Sequence, residues 1–357
     1  MGEWFRGLAM ALFVLCCWRA WGAVSLPGEL LSSDTRSDEF QSLISEAAGE
    51  LPESLRRLIR KRTLAIGLAE LGATGEVEQW GSINGEASLC AASTMKITCA
   101  LGALAAEAEG YLQLSDTRPT SPASVDLGET IFVNTEDIKS SLIYHRPGGF
   151  RDGNRDAGKV CRAINEAYLR HVGGGRSPNT YDPCWLNDQL RQWGFHGEGP
   201  EGLWLGLLYG SGARCSVPQP EKTYGLPSLT TQRASVNGLL NLWAAVESNN
   251  FSNLSSVALK WLKDLIGGSK APVGYLGRAF CRSGEQCLNL YGKTGTLTWR
   301  TGGLRCRNDA RVVVHPKDPE KRLVMAVMCN THYNEGSCTG QDLSVIAEKI
   351  RSRLLSN

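Results

Sequence analysis

Ser93-Thr94-Met95-Lys96 stands at the head of the run Thr94–Ala106, TMKITCALGALAA, and the reading of this stretch decides the fold. The run is rich in Ala and Leu and broken only by Gly102, which predicts a buried helix whose first turn carries Ser93. Residues three apart share a helix face, so Lys96 is expected beside the Ser93 hydroxyl. A partly desolvated ammonium next to other cations gives up its proton readily and serves as a base. The unpaired N–H groups of a helix start add a donor for a developing oxyanion, here the Ser93 amide. One turn therefore supplies a nucleophile, a base and half of an oxyanion hole.

Two fixed letters match by chance in a chain of 357 residues, so the weight falls on two further signatures that stand in order downstream. Ser177-Pro178-Asn179 lies 84 residues after Ser93, and Lys293-Thr294-Gly295-Thr296 lies 116 residues after Ser177. Ser82-Ile83-Asn84 and Ser248-Asn249-Asn250 share the middle pattern, but only Ser177 falls between the other two signatures. Lys293 comes after Leu290-Tyr291 in what reads as an edge strand, where Gly295 lets another backbone approach. Taken in order, the three signatures resemble the S-x-x-K, S-D-N and K-T-G set of class A β-lactamases and penicillin-binding proteins. The likeness continues into Arg307-Asn308-Asp309-Ala310-Arg311-Val312, similar to an Asn-Asp strand of class A enzymes, and into Leu229-Thr230-Thr231-Gln232-Arg233-Ala234.

The resemblance implies a role for each residue. Ser93 attacks a carbonyl, Lys96 is the leading base, and Ser177 relays a proton to the leaving nitrogen. Asn179 orients the substrate amide, while Lys293, Thr294 and Arg307 hold its carboxylate. Gly295 admits the substrate backbone, and the Thr296 amide is the second oxyanion donor. Pro178 departs from the family pattern by removing a backbone donor. A larger departure is the missing Trp-Glu-Pro-type segment with which class A β-lactamases position a deacylating glutamate. The corresponding stretch, Tyr209 to Tyr224, offers Glu221 as its only carboxylate, and a solvated loop glutamate is the plainer account of it.

Lys and Arg number 38 against 36 Asp and Glu, a net charge of +2. That balance leaves no electrostatic footprint for nucleic acid or an anionic membrane and favours a small-molecule or peptide substrate bearing a carboxylate. Arg6, the apolar run Leu8–Cys17 and the small residues Ala20, Gly22 and Ala23 read as a signal peptide over residues 1–22, too short to span a bilayer. The chain is thus expected to be secreted or periplasmic. Of 12 cysteines, ten lie beyond this segment, an even number that suits disulfides in an oxidising compartment. Connectivity stays open, with Cys281–Cys287 and Cys329–Cys338 closing the shortest loops. No C-x-x-C pair or histidine cluster suggests zinc, so neither metal nor cofactor is expected.

Asp38–Arg60 carries apolar residues at helical spacing with an interruption at Pro52, followed by strands over Thr63–Glu70 and Glu76–Gly81. Leu288–Thr296, Ala310–His315 and Arg322–Asn330 read as further strands before a helix over Asp342–Leu355. The fold class expected is α/β: an antiparallel sheet built from both chain ends, flanked by helices, with an inserted, mainly helical lobe. After a flexible leader over 23–37, the catalytic domain spans 38–357, its sheet lobe 38–92 and 285–357 and its helical lobe 93–284. Helices are expected at Gly158–Val172, Trp185–Trp193, Thr231–Ser248 and Ser255–Leu265, with a loop over Pro147–Gly158. The function implied is a secreted serine hydrolase that opens a β-lactam or related amide through an acyl-enzyme. A D-alanyl-D-alanine carboxypeptidase-like peptidase and a catalytically silent binding protein of the same fold are the alternatives; oligomeric state is not legible.

Overall fold

A computed structural model of the chain describes residues 26–122, 126, 128–143, 153–171, 184–195, 202–205, 232–267, 273–299, 303–332 and 338–356. Five strands form the main sheet: β1 (Leu64–Leu71), β2 (Val77–Ile83), β3 (Asn289–Trp299), β4 (Leu304–Val314) and β5 (Arg322–His332). Their order is β2-β1-β5-β4-β3, antiparallel throughout, so the first two strands of the chain and the last three make one sheet. β3 is its edge, as the sequence predicts.

Alternation along the strands divides the core in two. Leu323, Met325 and Val327 of β5 join Phe40, Leu43 and Ile44 of α1 (Asp38–Gly49) and Ile346 and Ile350 of α9 (Gly340–Ser356). The intervening Val324, Ala326 and Met328 meet Leu239, Leu240 and Trp243 of α7 (Val236–Ser248) on the other face. Burial on both faces explains the nearly unbroken apolar strands β1 and β5 in an antiparallel sheet. Pro52 ends the first helical stretch as expected and leads into α2 (Glu53–Arg60). Serine caps fix other helix starts: Ser37 accepts from the Phe40 amide, and Ser235 from the Gly238 amide.

The helical part contains α3 (Lys96–Ala108), α4 (Thr135–Leu142), α5 (Gly153–His171), α6 (Cys184–Gln192) and α8 (Ser256–Ile266). The structure corrects three expectations. Helix α4 is absent from the sequence reading; its signal is short, resting on the Asn134 cap that accepts from the Glu136 amide. Helix α5 begins at Gly153, inside the expected loop, because Asp156 in its first turn is buried and accepts from Ser140 and Lys159. That tertiary contact overrides the weak propensity of Gly153 and Gly158. Residues 26–37 of the expected flexible leader are docked: the Leu31 amide donates to Asn241 Oδ1 at 2.9 Å, and Trp80 Nε1 to the Ser32 carbonyl at 2.8 Å.

Disulfides join Cys99 to Cys161, Cys281 to Cys287 and Cys329 to Cys338. The latter two are the short loops singled out from sequence; the first ties α3 to α5, which no spacing revealed. Cys90 and Cys306 are buried against one another, and burial together with the hydrogen bond to Cys90 pushes the Cys306 thiol well above its usual pKa. A thiolate is the reactive form, so this pair is chemically quiet in the folded protein. Peptide mapping under non-reducing conditions should recover the three bonds, with Cys90 and Cys306 alkylated only after unfolding; rapid alkylation of either in the native protein would contradict this packing.

Candidate functional site

The turn that carries Ser93 is built before the helix it feeds. Residues Ala92–Met95 form a 3-10 turn and Lys96 opens α3, so Ser93 precedes the α-helix rather than sitting within it. In a 3-10 turn residues i and i+3 eclipse, which keeps Ser93 and Lys96 on one side. Ala92 occupies the left-handed region at φ 48°, a conformation that costs a non-glycine residue on the order of 1 kcal/mol and persists where surroundings impose it. They do so here. The Ala91 carbonyl accepts from the Thr94 amide at 3.2 Å and from Thr94 Oγ1 at 2.6 Å, and the Ala91 amide donates to the Gln232 carbonyl at 2.9 Å.

The sheet presses on this turn through two residues. Asn308 of β4, fully buried, donates from Nδ2 to the Cys90 carbonyl at 2.7 Å and accepts at Oδ1 from the Cys329 amide of β5 at 3.2 Å. Gly295 of β3 lies against the turn so closely that a methyl group on it would fall 2.6 Å from the Ala91 oxygen and 2.9 Å from the Thr94 nitrogen. Close approach, rather than backbone torsion, is what glycine supplies at this position.

These contacts bring together two of the three sequence signatures. Ser93 is 6 % exposed, Lys96 fully buried and Lys293 3 % exposed. Burial, reinforced by the positive charge of Lys96, lowers the Lys293 pKa to about 7, against which Asp309 acts weakly. Ser177, Asn179 and Glu221 lie outside the described residues. Thr294 and Thr296 alternate with Lys293 along this edge strand and pair with Asp309 and Arg307, and all three reach one cavity. Arg307 is therefore placed beside Thr296, with its Nη1 buried and without a hydrogen-bond partner among the described residues.

Along β3 runs a cavity of about 600 Å³ lined by Lys293, Thr294, Thr296, Tyr275, Arg278 and Arg311, among others. Among the described residues, Arg278 and Arg311 are the arginines of this wall, and Arg307 is not part of it. Behind it, Asp309 Oδ2 accepts from the amides of Tyr275 (2.6 Å) and Leu276 (2.9 Å) and from Arg311 Nε (2.9 Å). Tyr275 Oη meets Thr296 Oγ1 at 3.3 Å. Sequence reasoning passed over the 273–280 segment because it carries no periodic pattern; an aromatic and an arginine within a Gly-flanked stretch were its only signal. Among the described residues no cluster of His, Cys, Asp or Glu is placed to hold a metal, and no helix is long and apolar enough to cross a membrane.

The architecture and the site together define the fold of the serine β-lactamases. A class A β-lactamase from Bacteroides cellulosilyticus superposes with a TM-score of 0.54 at 12% identity, covering 89% of this chain and 99% of its own. A class A β-lactamase representing the last common ancestor of Gram-negative bacteria gives 0.52 at 17% identity, covering 88% and 98%. A β-lactamase from Chitinophaga pinensis gives 0.50 at 14%, covering 88% and 97%. No family model matches the sequence, and no curated protein matches it in sequence. The chain shares its fold with these enzymes.

Substituting Gly295 by Ala should push β3 off the Ser93 turn, with a stability loss of about 1–3 kcal/mol and a fall in Ser93 acylation. Chemical denaturation and a covalent penicillin label measure the two. Unchanged labelling would show that the close approach is not required.

Proposed function

We propose that this chain is an exported serine hydrolase that opens a β-lactam or a related amide through an ester on Ser93. The observation that carries the reading is the buried Ser93–Lys96 turn seated against Lys293 and Gly295 of an edge strand. Ser93 Oγ attacks the carbonyl carbon while its proton passes to Lys96. Collapse of the tetrahedral species breaks the C–N bond, and the leaving nitrogen receives a proton through Ser177. The oxygen that carries negative charge in between is met by the amides of Ser93 and Thr296. Lys293 and Thr294 hold the substrate carboxylate, with Asn179 on its amide. Water then hydrolyses the ester, and Glu221 is the available carboxylate for that step.

A carboxypeptidase-like peptidase is the second reading, favoured by the missing Trp-Glu-Pro-type segment. Rapid turnover of a β-lactam requires a water aligned and deprotonated behind the ester, whereas acylation does not. A fluorescent penicillin and a chromogenic cephalosporin separate the cases. Colour together with transient label supports the lactamase, and stable label without colour supports the peptidase. Neither signal, or a signal retained by Ser93→Ala, overturns the hydrolase and leaves a binding protein of this fold.

Protonation of Lys293 gives the expected pH dependence. With a pKa of about 7, the ammonium is charged below that pH and holds a carboxylate, and it loses its charge above. For a substrate bearing the carboxylate, kcat/KM should fall about tenfold per pH unit on the alkaline side. An analogue lacking the carboxylate should lose this limb. Identical profiles for the two would remove Lys293 from the clamp.

A further inference from the structure

The segment before β3 packs along it. Tyr275 reaches Thr296, and two residues later Gly277 packs on Asn289, at the start of the strand. Arg278 follows directly and lines the same cavity as Lys293, Thr294 and Thr296. Its mounting is rigid: Asp309 holds the amides of Tyr275 and Leu276, and Ser344 Oγ of α9 donates to the Tyr275 carbonyl at 2.8 Å. Arg311 lies under Gly274, where a methyl group would fall 1.7 Å from its guanidinium.

Charge along this wall has one sign. No carboxylate lines the cavity among the described residues, and Arg311 is already paired with buried Asp309. Arg278 is exposed at the cavity and forms no ion pair with the described residues. A concave surface of one sign focuses its field on whatever enters. A leaving group with a single carboxylate satisfies Lys293 and Thr294 and leaves Arg278 facing nothing.

We propose that Arg278 is a specificity-determining residue that binds a second carboxylate on the departing part of the substrate, so that dianionic leaving groups are preferred. This assignment rests on the acyl-enzyme reading of Ser93. The substrate class is an acyl donor whose leaving portion is an amino-dicarboxylate or an equivalent diacid. A planar guanidinium suits such a group because it can take both oxygens at once.

Thioesters test this without knowledge of the natural substrate. N-acylglycyl thioesters of mercaptoacetate and of mercaptosuccinate differ by one carboxylate in the leaving thiol, whose release is monitored with a thiol reagent. The full-length protein should favour mercaptosuccinate by about fivefold in kcat/KM, the scale of one partly exposed ion pair, with the difference lying in KM. Arg278→Gln should bring the ratio close to one, and Arg278→Lys should restore part of it. Equal rates for the two thioesters, or a preference that survives Arg278→Gln, overturn the assignment while leaving the hydrolase intact. Thiol release from neither ester, or release unaffected by Ser93→Ala, overturns instead the acyl-enzyme reading on which it depends.

Discussion

A single buried amide, that of Asn308, fastens the Ser93 turn to the sheet. It holds the Cys90 carbonyl three residues before Ser93 and the Cys329 amide on the next strand. Both ends of this bridge are backbone groups buried from water, where an unmet hydrogen bond costs about 1–3 kcal/mol. The strained Ala92, the 3-10 turn and the approach of Gly295 all depend on Cys90 being held at that height above β3 and β4. Local propensity could not hold the turn alone, since a left-handed alanine relaxes when its neighbours release it.

Asp309, the next residue, does the matching work on the other face. Its carboxylate collects two amides and a guanidinium and so fixes the segment that carries Tyr275 and Arg278. Adjacent strand residues point to opposite faces, so one dipeptide anchors the Ser93 turn on one face and the Tyr275 segment on the other. Lys96 and Lys293 are buried together, and the resulting loss of proton affinity at Lys293 comes from desolvation added to repulsion.

Much of this was legible in the sequence for identifiable reasons. Strands β1 and β5 announce themselves through long apolar runs, and their two-faced burial is why those runs do not alternate. Ser93, Lys96 and Lys293 are readable because chemistry restricts the residue types and the intervening chain restricts their order. What escaped depended on contacts between distant residues. Helix α4 is eight residues long, the start of α5 is decided by Asp156 meeting Ser140 and Lys159, and residues 26–37 are held by Asn241 and Trp80. None of these partners is adjacent in sequence. Arg307 illustrates the same limit: register sets it beside Thr296, while among the described residues Arg278 and Arg311 are the arginines that line the cavity.

The alternation at Asn308 and Asp309 also bears on what kinds of genetic change this architecture can absorb. Shifting β4 by one place against β3 and β5 would exchange the two anchors, presenting an acid to the Ser93 turn and an amide to the opposite loop. Replacement of one apolar residue by another leaves that frame untouched. Spacing is thus under tighter restraint than lettering, and a lineage can exchange most of its side chains while the count between anchors stays fixed. The likeness of fold at 12–17% identity accords with such a restraint.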